Sequence, residues 1–211
     1  AEALAANTGY TVVGGGGSVA FTDGINPIDL PDPATSGYGF DFNPTADRIR
    51  VTTSTGLNFR LNQITGQPVD ADLGTAGTNP DGTINGSGAT GISGAAYTNS
   101  FAGATATTLY TLDDANNRLL IQNPPNNGTQ TSPLAVTLGG NPLDFSSING
   151  FDIPRNVSVA TSNTAANGFA TAALSVGGIT GLYTINLATA ATTSQGAIGA
   201  GGPLSGLTLG N

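Results

Sequence analysis

Gly39-Phe40-Asp41-Phe42-Asn43 opens a pattern that returns as Gly94-Ala95-Ala96-Tyr97-Thr98-Asn99 and again as Gly150-Phe151-Asp152-Ile153-Pro154. The starts at 39, 94 and 150 are 55 and 56 residues apart, and a fixed period of this kind marks a repeat architecture. Each start is followed by short segments in which apolar and polar residues alternate, the period of a half-buried strand. The first is followed by Arg48-Ile49-Arg50-Val51, Leu57-Asn58-Phe59-Arg60-Leu61 and a weaker Gln67-Pro68-Val69. The second is followed by Thr108 to Leu112, Arg118 to Gln122 and Leu134 to Leu138, the third by Phe169 to Val176, Leu182 to Asn186 and Gln195 to Ile198. Gly, Pro, Asn and Asp fill the joints, as turns require. The pattern predicts an all-β protein, a β-propeller-like array of about three four-stranded antiparallel blades. The blades are expected over 37–75, 92–140 and 148–200, within an array spanning 37–211.

The two ends extend the pattern. Residues 1–36 read as an N-terminal strand and a flexible Gly-rich segment, with Thr8 to Gly14 resembling the close of the third unit, Thr192 to Gly199. Ser205-Gly206-Leu207-Thr208-Leu209 resembles an opening strand, so an extra terminal strand is expected over 204–210. Single-chain propellers close with about four to eight blades. Three leave the array open, or completed by another chain. Unpaired edges invite strand addition, so the expected partner is a second copy (a homo-oligomer or polymer) or a chain that completes the ring.

The hairpin at Ile49 to Leu61 tests register. A three-residue loop, Ser54-Thr55-Gly56, sets Val51 opposite Phe59 and Arg50 opposite Arg60, with Gly at the left-handed position such loops prefer. Upstream, a loop of Asn43-Pro44-Thr45-Ala46 would set Phe40 against Ile49 and Asp41 against Arg48. A polar face containing Asp41, Arg48, Arg50 and Arg60 results. It is read first as an internal network in which Asp41 and Asp47 neutralise arginines between blades. The competing reading is capture of a carboxylate or sulfate.

Composition removes whole mechanisms. The 211 residues include no His and no Cys, so within this chain there is no Ser-His-Asp or Cys-His centre and no conventional zinc site. All five basic residues are Arg, which removes Schiff-base lysine chemistry. A net charge of −8 speaks against nucleic acid as partner. No run approaches the ~20 apolar residues of a membrane-spanning helix. A small-residue start, absent Lys and abundant Asn, Thr and Gly suggest an exported bacterial protein, secreted or at the cell surface. The sequons at Asn85, Asn127 and Asn156 are read as chance occurrences in a chain rich in Asn, Ser and Thr.

One loop invites a metal. Asp70, Asp72, Asn79 and Asp81 place three carboxylates and an amide in a Gly-rich segment, and calcium takes six to eight such oxygens. The spacing fits neither an EF-hand nor a β-roll repeat, so a solvated turn is the competing reading. No other cofactor is expected. Asp113 and Asp114 point to opposite faces of a strand and read as a turn opener. The recurrent aromatics, Phe40, Phe42, Phe59, Tyr97, Tyr110, Phe151 and Tyr183, read as core, with at most one or two free for sugar stacking.

The strings Gly39-Phe40-Asp41-Phe42-Asn43-Pro44, Asp47-Arg48-Ile49-Arg50-Val51, Asn58-Phe59-Arg60-Leu61-Asn62, Asn123-Pro124-Pro125-Asn126-Asn127-Gly128 and Leu182-Tyr183-Thr184-Ile185 together resemble one bacterial family, domain of unknown function 4394. The resemblance runs from about residue 36 to the C-terminus, implies a secreted propeller-like protein, and carries over no catalytic residues. The expectation is a non-enzymatic, self-assembling structural module of a filament, surface or matrix. A glycan- or calcium-binding propeller and a calcium-dependent propeller hydrolase are the alternatives.

Overall fold

The computed structural model describes residues 21–23 and 26–210. The strand expected at Thr8 to Gly14 and the joint at Gly14 to Gly17 lie outside the described residues. Among the described residues the only helical element is a 3-10 turn, Pro125–Asn127; all other regular structure is strand. The protein is all-β.

A hairpin of β1 (Phe21–Asp23) and β2 (Asn26–Ile28) precedes the first sheet, β3 (Tyr38–Asn43), β4 (Arg48–Thr53) and β5 (Asn58–Asn62). The second sheet holds β6 (Gly94–Tyr97), β7 (Leu109–Asp113), β8 (Arg118–Gln122) and β9 (Gln130–Ala135). After β10 (Thr137–Leu138) and β11 (Asn141–Pro142) come β12 (Gly150–Asp152), β13 (Phe169–Val176), β14 (Ile179–Asn186) and β15 (Ala191–Ala197). Strands β12 to β15 form the third sheet, and β10 and β11 extend it beyond β15. Each sheet is antiparallel except where β10 meets β15 in parallel, and none closes on itself.

The hairpin register follows the sequence in one place and departs from it in another. Val51 faces Phe59 and Arg50 faces Arg60, and Gly56 takes φ 99°, which a Cβ would resist. At the preceding turn the expected pairing is displaced by two residues: Phe40 meets Val51, Asp41 meets Arg50 and Phe42 meets Ile49. Asn43 is the last ladder residue, paired with Arg48, and its Oδ1 accepts from the Thr45 N–H at 2.9 Å and the Thr45 hydroxyl at 2.8 Å. Asp47 then closes the loop at φ 46°, a left-handed position that Asp tolerates.

Two further strands differ from expectation. Gln67 to Val69 is only a bridge onto β5, through Leu61 and Pro68. The single strand expected over 134–138 is divided between sheets. Val136 is buried between them, its N–H on the Asn117 carbonyl at 2.9 Å, and the chain crosses there to run beside β15. Residues 204–210 form no strand.

The sheets join through their first strands. β3 touches β6, β6 touches β12, and β12 also reaches β3. Glycine allows this approach: a Cβ on Gly39 would stand 2.6 Å from the Ala95 nitrogen, and one on Gly150 would stand 2.6 Å from the Leu207 nitrogen. Between the second and third sheets, Tyr110, Leu112, Leu119 and Ile121 pack against Phe151, Ala172, Leu174 and Ile185 in the main apolar core. A smaller core packs Phe21 on Phe59, ring centroids 4.7 Å apart, with Val51 beside them.

Candidate functional site

Alternation along β4 and β5 sends Val51 and Phe59 to one face of the first sheet and Arg50, Asn58 and Arg60 to the other. That second face meets the second sheet. Arg50, 1% exposed, donates from NH1 to Asp81 Oδ2 at 2.5 Å and to Asn58 Oδ1 at 2.9 Å, and from NH2 to Asn126 Oδ1 at 2.6 Å. Arg60 grips the same carboxylate with two bonds, Nε to Oδ2 at 2.8 Å and NH2 to Oδ1 at 2.6 Å. The Asp81 carboxylate raises the Arg60 pKa, mainly through that hydrogen bond. From Asn58 the chain of bonds continues into the second sheet. Gln122 Nε2 donates to Asn58 Oδ1 at 3.1 Å, Gln130 Nε2 to Gln122 Oε1 at 2.8 Å, and the Thr111 hydroxyl to Gln130 Oε1 at 2.7 Å. The network is a clamp between sheets, with Arg50 and Asp81 buried, Arg60 partly exposed and the Arg50 Nε left without a partner.

Of the five residues read as a network, Arg50 and Arg60 share these bonds and Arg48 does not. Asp81, not Asp41 or Asp47, neutralises Arg50 and Arg60. Asp47 is exposed, and Arg48 NH1 donates to the Asp47 peptide oxygen at 2.8 Å. Asp81 is equally withdrawn from the loop read as a calcium ligand set. Asp70, Asp72 and Asn79 remain together: Asp70 Oδ1 accepts from the Asn79 N–H at 3.0 Å and the Asp72 N–H at 3.2 Å. Asp72 accepts from the Thr75 hydroxyl at 2.6 Å and the Gly74 N–H at 3.0 Å. These bonds hold both carboxyls below the usual carboxylate pKa. Among the described residues no three His, Cys, Asp or Glu side chains are grouped to hold a metal ion.

A second polar centre lies where the first strands converge. Asp41 Oδ2 accepts the Tyr97 N–H of the next sheet at 2.6 Å, while Oδ1 accepts its own neighbour's, Phe42, at 2.7 Å. Asp152 repeats the arrangement: Oδ2 accepts the Leu209 N–H at 2.7 Å and Oδ1 the Ile153 N–H at 2.7 Å. The equivalent position in the second sheet is Ala96 and cannot do this. Burial pushes the Asp41 carboxyl up to about 7, against the hydrogen bond from Tyr97 and with the Asp152 charge adding to the rise. Asp152 is raised by burial too. Both carboxyls line a cavity of about 390 Å³, which Phe42, Ser100, Phe101 and Arg155 also line.

Not all the aromatics are core. Phe59, Tyr97, Tyr110, Phe151 and Tyr183 are buried, but Phe40 and Phe42 are 55% and 52% exposed, their rings edge to face at 6.4 Å. Sequence reasoning missed the cavity because its residues come from β3, β12, the 203–210 segment and loops between them. The Asp at matching positions of the first and third repeats was the visible signal.

Serial sheets docked through their first strands, with a charged clamp at one junction and paired backbone-bound carboxyls at the centre, define the class: an all-β protein of successive antiparallel sheets. The chain belongs to the family described as Domain of unknown function (DUF4394), whose profile matches residues 6–208. No curated protein matches it. Among the described residues no helix is long and apolar enough to cross a membrane.

Proposed function

We propose that the protein is a non-enzymatic structural module, a propeller-like array of three units, that assembles outside the cell with further copies of itself. The segment 203–210 carries this reading. It sits against β12 as β6 sits against β3, and Leu209 donates to Asp152 as Tyr97 donates to Asp41, yet it enters no sheet. It occupies a fourth inner position with most of its residues exposed, and among the described residues no strand pairs with it on the side away from β12. Such backbone is a template for strand addition, and the occupant that fits a repeat of this period is a strand from a second copy. Across the same gap β3 leaves Phe40 and Phe42 uncovered. Absence of His, Cys and Lys from the chain supports a non-enzymatic role, and its Asn-, Thr- and Gly-rich composition supports an extracellular one.

Light scattering after size exclusion, over a wide range of concentration, tests this, with electron microscopy of the heaviest fraction. Concentration-dependent growth is expected. Leu209→Pro removes the N–H that anchors the segment to Asp152 and is expected to shift the population to single chains. A single-chain particle at every concentration, or unchanged assembly of the Leu209→Pro variant, overturns the reading.

A further inference from the structure

We propose that the cavity between β3, β12 and residues 203–210 is a binding site for a neutral oligosaccharide. Its volume of about 390 Å³ falls within the range of small-ligand sites. All its named groups belong to one chain, and Phe42 and residues 203–210 are shared with the edge of the self-assembly reading.

Two features build the site. Asp41 and Asp152 are each fixed by two backbone N–H bonds, one to each carboxyl oxygen, at 2.6 to 2.7 Å. A carboxyl oxygen has a further lone pair, so Asp41, and Asp152 beside its additional bond from Thr208, present oriented acceptors without ordering a side chain on binding. Oriented acceptors of this kind suit the hydroxyls of a sugar. The second feature is apolar. Phe42 stands 52% exposed at the cavity, with Phe101 37% exposed beside the same space. An exposed phenyl on a strand is unusual for a packing residue, and it offers a flat face to the C–H side of a pyranose ring. Arg155 adds donors, so acceptor, donor and ring face occur together.

Other ligand classes match this lining less well. Three carboxyls, Asp41, Asp47 and Asp152, line the site with acceptor oxygens rather than the cluster of donors an anion needs. A divalent metal would need a ligand group that the described residues do not assemble. A wholly apolar ligand would strand the carboxyls without water. An organic cation is the remaining competitor, and Arg155 opposes it.

Isothermal titration calorimetry on the full chain is the test. The probes are neutral hexasaccharides of the cello, xylo, manno and chito series, with spermidine as the cationic control. Saturable binding of at least one neutral series is expected. Phe42→Ala is expected to weaken it about tenfold. Arg155→Ala, a change at an exposed side chain, is expected to weaken it without altering the melting temperature. Absence of binding by all four series, binding of spermidine alone, or affinities that neither substitution changes would each overturn the proposal. Monomeric protein that still binds sugar would refute self-assembly while leaving this site intact.

Discussion

The second sheet presents two faces, and its two neighbours meet them with different chemistry. Toward the third sheet it offers Tyr110, Leu112, Leu119 and Ile121 to a broad hydrocarbon core. Toward the first it offers Thr111, Gln122 and Gln130, which hand a line of hydrogen bonds through Asn58 to the Arg50–Asp81–Arg60 cluster. Two small apolar clusters accompany that clamp, one of Ile84, Ala89, Ile92 and Leu120 and one of Ala95, Tyr97 and Leu109. The hydrocarbon junction gains free energy in proportion to area and is indifferent to direction. The clamp gains little net energy from its charges, yet every member demands a partner at a defined angle. One junction supplies cohesion; the other fixes the angle at which the first sheet stands.

The sharpest way to break this contrast is Asp81→Ala. It leaves two guanidiniums facing each other without their carboxylate, one of them fully buried, and is expected to cost about 3–5 kcal/mol in urea unfolding. Replacing Arg50, Arg60 and Asp81 together by Met, Met and Leu is expected to recover most of that loss, because no unpaired charge stays buried. If Asp81→Ala unfolds at the wild-type midpoint, the clamp is not the junction. At the hydrocarbon junction Leu119→Ala, fully buried, is expected to cost about 3 kcal/mol through lost transfer and a residual cavity. There the cost should track the volume removed rather than the polarity introduced.

A smaller effect is expected at the centre. Gly150→Ala would push a methyl against Leu207 and cost about 1–2 kcal/mol by overpacking. Residues 203–210 should then become accessible to protease while the three sheets keep their protection against hydrogen exchange. Loss of protection throughout would show that the segment is integral to the fold rather than a docked strand.

The hydrocarbon junction was the legible one. Alternation in Leu109 to Leu112 and Phe169 to Val176 states which residues point inward, and a period-two pattern needs no long-range information. Gly56 likewise announced its own loop. The clamp was half legible. Arg50 and Arg60 on one face could be placed from local register, but Asp81 reaches them across 31 and 21 residues, and nothing local distinguishes it from its neighbours Asp70 and Asp72. The β3–β4 turn was misjudged because Asn43 acts as ladder partner and turn former at once. The central cavity depends on strands from three repeats meeting, which a one-dimensional pattern does not encode.

The smallest expected effect concerns the same centre and has a defined sign. Asp41 is raised from 3.8 to about 7 by burial, so the folded protein holds this proton more tightly than the unfolded chain. The stability this group contributes is complete below about pH 4 and is lost as pH rises through about 7. The free energy of urea unfolding should therefore fall between pH 6 and 8, by about 1 kcal/mol. Asp70 and Asp72, whose carboxyls are lowered by hydrogen bonds, act with the opposite sign but only in acid, below the ordinary carboxylate range. Asp41→Asn keeps one acceptor for the backbone and removes the titration, so it should lower stability overall while flattening the slope. Any slope that survives belongs to Asp152 or Asp114, which are raised as well. A wild-type stability that stays flat from pH 6 to 8 would place the Asp41 carboxyl in water rather than between sheets. The first strands would then be held together by glycine contact alone, and the charge-based junction would end at Asp81.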